Sequence, residues 1–507
     1  MPTKTLREKF TSLDSKRGDV VDSMYLHAQF TIPRLFPERY YIGTWDYDDL
    51  PETYSDKARN NIIRLANMMV NALMPPNDEP FFELKISPEL SEEQSAVLRD
   101  PIAEVEAAVL DTLQASNLRT ILFEGLQHCI VMKDSLIHQV SDTKFKLYHP
   151  AHFILRRDGE GEIKEYWTVD WVVTDLLDDD LKGLNGGRPK NQMDDVEPLY
   201  THIYMDGDIW KVEREFRDVM YETDKTYKIL PYYHFGWTPI SGENHSRSLV
   251  EENFGTIRSL EMVSKALAEG LAAASEGRIL IDPSSTTTED DFLGTTNWSF
   301  ISARPGSIEA WQPNAIPQIS VTLEAKRDYE NELDEAFLAT SASDLRGERV
   351  TAFQTNQVVN ERAQALGGTL ATLEQDLERI VNRTIFVLIE KKKLTKDFRT
   401  LMDEGAVSIS ISSGIDALSR QADVQRLENM LGLVYQSGDP EAMAVLKKGA
   451  TYRAIARNSG LDMNQFIYTD EEVAANQQAA QQAALAQQAG QQAIQSVGAI
   501  AENTIGQ

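Results

Sequence analysis

Leu345-Arg346-Gly347-Glu348-Arg349-Val350-Thr351-Ala352 is the stretch on which the reading of this chain turns. It lies between two long helical patterns and is followed closely by Leu366-Gly367-Gly368. A short polar loop with two arginines, set between one helix and a longer, glycine-interrupted helix, has no catalytic logic. It presents a thin cationic lip: Arg346 and Arg349 carry the charge, Asp344 and Glu348 weaken it, and Ser343 opens the polar run.

Downstream, Val350 to Lys393 is patterned as helix, with Leu366, Leu370, Leu373, Leu377, Ile380 and Leu388 in near-heptad register. Two adjacent glycines cost about 1 kcal/mol each relative to alanine, so Gly367 and Gly368 predict an interruption, as a kink or a close helix approach. Upstream, Ser248 to Glu276 places Val250, Phe254, Ile257, Leu260, Val263, Leu267 and Leu271 on one helical face and ends in small residues. At a rise of about 1.5 Å per residue this reads as a pillar of about 40 Å, able to pack side by side with copies of itself. A returning helix, Thr322 to Ala339, is polar on most faces and carries Lys326 and Arg327. Between the two helices, strands are expected at Arg278 to Ile281 and Trp298 to Ala303, around a Ser/Thr/Asp-rich loop that closes at Pro313 and Pro317. Trp298, Phe300 and Trp311 are either partner-binding anchors, since aromatics dominate interface hot spots, or the small core of this insertion.

The N-terminal half reads as α+β. Leu6 to Phe30 is helical up to Thr31-Ile32-Pro33, and Ser55 is the expected cap of a helix with Ile62, Leu65, Met69 and Leu73 on one face. A strand follows at Phe81 to Ile86 and a short helix at Ser91 to Leu98. Asp100-Pro101 reads as a fresh helix start running to Ala115, and Leu118 to Met132 as the next helix. Asp158-Gly159-Glu160-Gly161 and Asp206-Gly207-Asp208 each mark a β-hairpin, separated by an acidic, glycine-rich loop from Asp178 to Pro198. Val407 to Ile411 reads as a strand, Arg420 to Tyr435 as a helix, and Glu471 to Gln507 as an Ala/Gln-rich tail stable only on assembly.

Composition narrows the function. With 507 residues and 42% hydrophobic content the chain buries a sizeable core. A net charge of -29 excludes coating nucleic acid by phosphate neutralisation, so contact with DNA has to be local and weak. The single cysteine, Cys129, excludes an intramolecular disulfide and reads as core. No apolar run reaches about 18 residues and Met1 to Phe10 is charged, so neither membrane insertion nor secretion is expected. His149-Pro150-Ala151-His152 reads as a satisfied pair rather than metal ligands, and Asp178-Asp179-Asp180 as solvated charge. There is no Walker-type glycine loop, hence no metal site, cofactor or enzymatic activity is expected, and any motor energy comes from a partner.

In order along the chain, Gln29-Phe30-Thr31-Ile32-Pro33-Arg34-Leu35-Phe36-Pro37, Leu118-Arg119-Thr120-Ile121-Leu122-Phe123-Glu124, Tyr200-Thr201-His202-Ile203-Tyr204, Arg258-Ser259-Leu260-Glu261, Gly347 to Ala352 and Ser410 to Leu418 resemble the portal, or head-to-tail connector, proteins of short-tailed bacteriophages. The acidic loop from Asp178 and the Gln-rich tail fit less closely. The resemblance implies a portal fold assembled as a ring, usually of twelve subunits, at one capsid vertex. It divides the chain into a wing (1-247 and 394-436), stem helices (248-276 and 322-340), a clip (277-321), a tunnel loop (341-350), a kinked tunnel helix (351-393) and a crown (437-507). Implied partners are the large terminase subunit, tail adaptors, major capsid and scaffolding proteins, internal core proteins and transiently held double-stranded DNA. On this mapping Ser343, Asp344, Arg346, Glu348 and Arg349 face the DNA channel, Lys326 and Arg327 line the stem, and Arg278, Trp298, Phe300 and Trp311 meet the clip's partners. The arginines either touch phosphates or form ion pairs within the ring. A nucleic-acid-processing enzyme would need a metal or nucleotide site absent from these motifs, and a coiled-coil scaffold leaves the N-terminal matches unexplained.

Overall fold

Hydrophobic alternation organises the α+β body, the region expected to serve as a wing. The computed structural model describes residues 5–37, 50–75, 80–87, 92–177, 179–184, 196–275, 278–284, 308–311, 316–339, 352–391, 398, 401–402 and 405–411, all within the unit Met1–Ser413. Helices α1 (Leu6–Asp14), α2 (Gly18–Phe30) and α3 (Lys57–Leu73) lead to strand β1 (Phe82–Ile86), then α4 (Glu92–Gln114) and α5 (Leu118–Met132). Strands β2 (Asp134–Gln139), β3 (Phe145–Tyr148), β4 (Phe153–Arg157) and β5 (Ile163–Val173) precede the short α6 (Asp179–Lys182). Next come β6 (Val196–Asp206), β7 (Ile209–Phe216), β8 (Val219–Tyr227) and β9 (Tyr232–Gly236).

Strands β4 to β8 form an antiparallel meander in chain order, and β3, β2 and β9 form a second sheet with β2 in the middle. Leu155, Tyr166, Ile203 and Val212 of the five-stranded sheet share one core with Leu136, Tyr148 and Tyr232 of the smaller sheet. The opposite face, Ile154, Trp167 and Val169, is covered by Leu6 and Phe10 of α1. Both predicted hairpins are present, with Gly161 and Gly207 at positive φ. The turn after β7 uses two non-glycine residues in the left-handed region, Arg217 and Asp218. Arg217 is held by a buried ion pair to Glu197 at 2.5 Å.

The second half comprises α7 (Leu249–Glu252), α8 (Phe254–Ser275), the hairpin β10 (Arg278–Ile281) and β11 (Ile308–Trp311), α9 (Ile316–Ala336), α10 (Ala352–Glu390) and β12 (Val407–Ile411). Helix α10 packs on the wing through Leu370, Leu373, Leu377, Ile380, Ile385 and Leu388, all buried. Strand β12 pairs antiparallel with β1, from Phe82 opposite Ile411 to Ile86 opposite Val407, closing the wing across more than three hundred residues.

Several expectations are corrected. Helix α10 runs for 39 residues through Gly367 and Gly368, and the close helix approach is not found there: among the described residues nothing lies within 4 Å of where a Cβ would stand on either glycine. The long upstream helix is broken at Asn253 into α7, capped at its start by Ser248 accepting from Glu251 N at 3.0 Å, and α8; at the break Asn253 Nδ2 donates back to Leu249 O at 2.9 Å. Asp56 rather than Ser55 stands at the cap position of α3 but makes no side-chain cap bond, whereas Ser55 Oγ accepts from Lys57 N at 3.4 Å. Helix α4 runs unbroken through Asp100-Pro101. Pro198 belongs to β6, opposite Trp171, where the β7 ladder has ended and its missing N–H leaves no gap on that side. The partner of β10 is Ile308–Trp311, and α9 begins at Ile316, with Pro317 in its first turn, where proline costs no helical hydrogen bond. The expected strand at Trp298 to Ala303, the loop at 341-350, the helix at Arg420 to Tyr435 and the Ala/Gln-rich tail lie outside the described residues.

Candidate functional site: the paired helices α8 and α9 and their root

Helices α8 and α9 are 22 and 21 residues long, about 33 and 31 Å at a rise of about 1.5 Å per residue. They pack against each other and are joined at their far ends by the β10–β11 hairpin. Leu333 of α9, Phe337 just beyond it, and Ile257 and Leu260 of α8 are buried. Ser320, Glu324, Arg327, Asp328, Asn331, Glu332 and Glu335 lie on the opposite, exposed side of α9. One helix face is therefore packed and the other half-circumference is left open, with four carboxylates against one guanidinium.

The root ties this pair to the wing by three clasps. In the first, the fully buried Asp134 carboxylate accepts from His234 Nε2 and His245 Nδ1, both at 2.8 Å, and from the Ser246 amide at 3.2 and 3.3 Å. Burial pushes this carboxyl up, but the two imidazole hydrogen bonds and their charge outweigh it and hold Asp134 well below the carboxylate range. Lys133, at φ 80°, turns the chain out of α5 and pairs with Glu251 of α7, which also takes Arg247 Nη1 at 2.7 Å. The fit is tight: a Cβ on Gly236 would stand 2.1 Å from Ser246 Oγ.

In the second clasp Glu261 of α8 accepts from the amides of Tyr54 and Ser55 at 2.6 and 3.0 Å. Two residues further on, Lys57 Nζ reaches Asp334 of α9 at 2.6 Å, and Asn61 Nδ2 donates to the same carboxylate at 2.9 Å. In the third, Phe254 opens α8 against His27 and Phe30 of α2, with ring centroids 4.8 and 5.5 Å away. Burial drives His27 down to about 4, keeping the ring neutral in this apolar contact.

Helix α10 meets the same region through Asp376. This buried carboxyl is pushed up to about 6 by burial, only partly relieved by Arg379 Nη1 at 3.0 Å. Close by, Cys129 is buried and its thiol is raised to about 12 by burial, which fits its reading as core.

The residues singled out from sequence are distributed unevenly. Arg327 is exposed on the open side of α9, whereas Lys326 is half-buried and reaches Glu330 at 3.8 Å. Arg278 and Trp311 are brought together as cross-strand partners in the β10–β11 hairpin. Ser343, Asp344, Arg346, Glu348, Arg349, Trp298 and Phe300 lie outside the described residues. His149 is a satisfied core residue: Nε2 meets Leu35 O at 2.9 Å and Nδ1 accepts from Ala151 N at 3.1 Å. The root cluster was not foreseen, because Asp134 is about a hundred residues from His234 and His245 and no spacing rule joins them.

A family model described as bacteriophage head to tail connecting protein matches residues 3–467. The chain belongs to this family. It is a structural connector between capsid and tail and a component of the phage virion. Among curated proteins the connector is 29% identical over 472 residues to the portal protein of Enterobacteria phage T3, covering 88% of this chain and 84% of that one. It is 28% identical over 470 residues to the portal protein of Escherichia phage T7, with the same coverage of 88% and 84%. It is 23% identical over 441 residues to that of Enterobacteria phage SP6, covering 84% and 81%. Among solved structures it is similar to the neck of an empty GTA particle computed with C6 symmetry, at TM-score 0.41 and 12% identity, covering 74% of this chain and 86% of that one.

Proposed function

We propose that copies of this connector, twelve by analogy with the family, close into a ring at one capsid vertex, and that double-stranded DNA enters and leaves through its bore. The observation that carries this is the rooted stem: an antiparallel helix pair clasped to the wing at one end and left open along one wide polar side, wide enough both to meet a neighbouring copy and to line a channel, in a chain of net charge -29. An electronegative bore repels phosphates and lets the duplex slide, whereas clustered cations would hold it. Residues 1-247 and 394-436 serve as the wing, 248-276 and 322-340 as the stem, 277-321 as the clip, 351-393 as the helix above the tunnel loop and 437-507 as the crown. The clip, with Arg278, Trp298, Phe300 and Trp311, meets the large terminase subunit and later the tail adaptors, while the wing meets major capsid and scaffolding proteins. Glu324 and Arg327 face the bore. At 341-350, Arg346 and Arg349 form a thin cationic band, moderated by Asp344 and Glu348, that touches phosphates in passing and helps retain packaged DNA.

Negative-stain imaging and mass measurement of the purified protein test the ring. A closed particle near twelve times 57.1 kDa with an open centre is expected. A monomer, a dimer or a solid particle overturns it. For the loop, virions carrying Arg346→Ala and Arg349→Ala are expected to lose packaged DNA, and the assignment fails if they keep full genomes as well as wild type.

A further inference from the structure

Two exposed seams of the stem match in spacing, charge and height. On α8, Arg258, Met262, Lys265 and Glu269 follow one another at four, three and four residues and are all exposed, Met262 by 63%. On α9, Val321, Ala325, Asp328, Glu332 and Glu335 alternate four and three in the same way, with Val321 exposed by 67%. Alternating steps of three and four mark the narrow line along which two helices pack. The α8 seam carries two bases and one acid, and that acid, Glu269, already sits 3.9 Å from Lys265. The α9 seam carries three acids and no base. Neither Arg258 nor Asp328, Glu332 or Glu335 has an ion-pair partner among the described residues.

Height completes the match. Tyr54 and Ser55 bind Glu261, and Lys57 binds Asp334, so Glu261 and Asp334 meet one four-residue segment and stand near one height. Counting about 1.5 Å per residue from these marks along antiparallel helices puts Arg258 at about the height of Glu335, and Lys265 at about that of Glu332 and Asp328, to roughly a helical turn. Rotation about an axis along the stem preserves height, so residues level within one chain stay level between neighbours. A two-fold pairing of α9 with α9 would set these carboxylates against each other, whereas a head-to-tail contact sets them against Arg258 and Lys265. Contacts of that heterologous kind close into a ring when the rotation between neighbours divides a full turn.

We infer that the Arg258–Lys265 seam of α8 in one copy docks on the Asp328–Glu335 seam of α9 in the next, as the charge-matched interface that closes the stem. This rests on the ring reading and names the faces that make it. It leaves Glu324 and Arg327, on the other flank of the open side of α9, to the bore.

The test uses the full-length chain and two charge reversals, Lys265→Glu and Glu332→Lys, with ring formation followed by mass photometry against protein concentration. Each variant alone is expected to need about tenfold more protein than wild type to form rings, because every interface then carries a repulsive pair. In an equimolar mixture every interface of an alternating ring pairs opposite charges, and wild-type assembly is expected to return. Misfolded variants would not be rescued by mixing. If each variant alone assembles at the wild-type concentration, or the mixture restores nothing, the seam is refuted while the ring stands. If wild type itself forms no ring, the portal reading fails and the seam with it.

Discussion

Replacing Asp376 by asparagine is expected to stabilise the wing at neutral pH. The carboxyl is buried where α10 lies on the wing, and burial raises it from 3.8 to about 6, so at pH 7.5 the folded state holds a carboxylate that burial disfavours relative to the unfolded chain. At about 1.4 kcal/mol per pH unit, that difference is about 3 kcal/mol of destabilisation. The pair with Arg379 offsets little of it, since that guanidinium is 67% exposed and solvent screens it. The sign follows from proton binding: between pH 3.8 and about 6 the folded state binds the extra proton, so this group favours folding below 3.8 and the advantage is lost as pH rises through 6. An asparagine at this position cannot ionise and lacks that dependence. Urea unfolding followed by the fluorescence of the wing tryptophans, for wild type and Asp376→Asn side by side, should show no gain for the variant at pH 4 and a gain of up to about 3 kcal/mol at pH 7.5. A variant less stable than wild type at pH 7.5 would mean that the Arg379 pair outweighs the burial, and the reasoning would be refuted.

Gly236→Ala drives a methyl to 2.1 Å from Ser246 Oγ, and a loss of about 1–3 kcal/mol is expected by thermal unfolding, while Gly125→Ala, at 3.2 Å from Ser135 Oγ, should cost less. Burial lowers His27 and His152 to about 4 and His128 and His138 to about 3, so these rings are neutral in the fold and charged in the unfolded chain below 6.5. Their stabilisation is present above 6.5 and lost as pH falls through 4 to 3. An acid titration by fluorescence should therefore show the wing opening in that range, and an intact wing at pH 3 would contradict it. Cys129, with its thiol near 12, should resist iodoacetamide in the folded protein and react once urea opens the wing, a rate difference read by mass spectrometry.

Much of the wing was legible because local signals carried it. Helix α5 begins at Leu118 and ends at Met132 as its pattern predicts, and both hairpins turn at their glycines, since a positive φ leaves few alternatives. The apolar register of α10 was readable from Leu370 to Leu388, and those leucines are the buried ones. Where a local cue competed with packing, packing won: Pro101 sits inside α4, and Gly367 and Gly368 stay helical because the residues beyond them are held against the wing.

By itself the sequence determined most segment types among the described residues, the electronegative balance and, through motifs in order along the chain, the family. Periodicity and turn chemistry act between near neighbours, so they are written locally. Only the tertiary structure decided that β12 returns to β1, that Asp134 gathers His234, His245 and the Ser246 amide, and that the short segment from Tyr54 to Lys57 holds Glu261 of α8 and Asp334 of α9. Those choices depend on which buried polar groups find partners across hundreds of residues, and no spacing rule in one dimension encodes such a meeting.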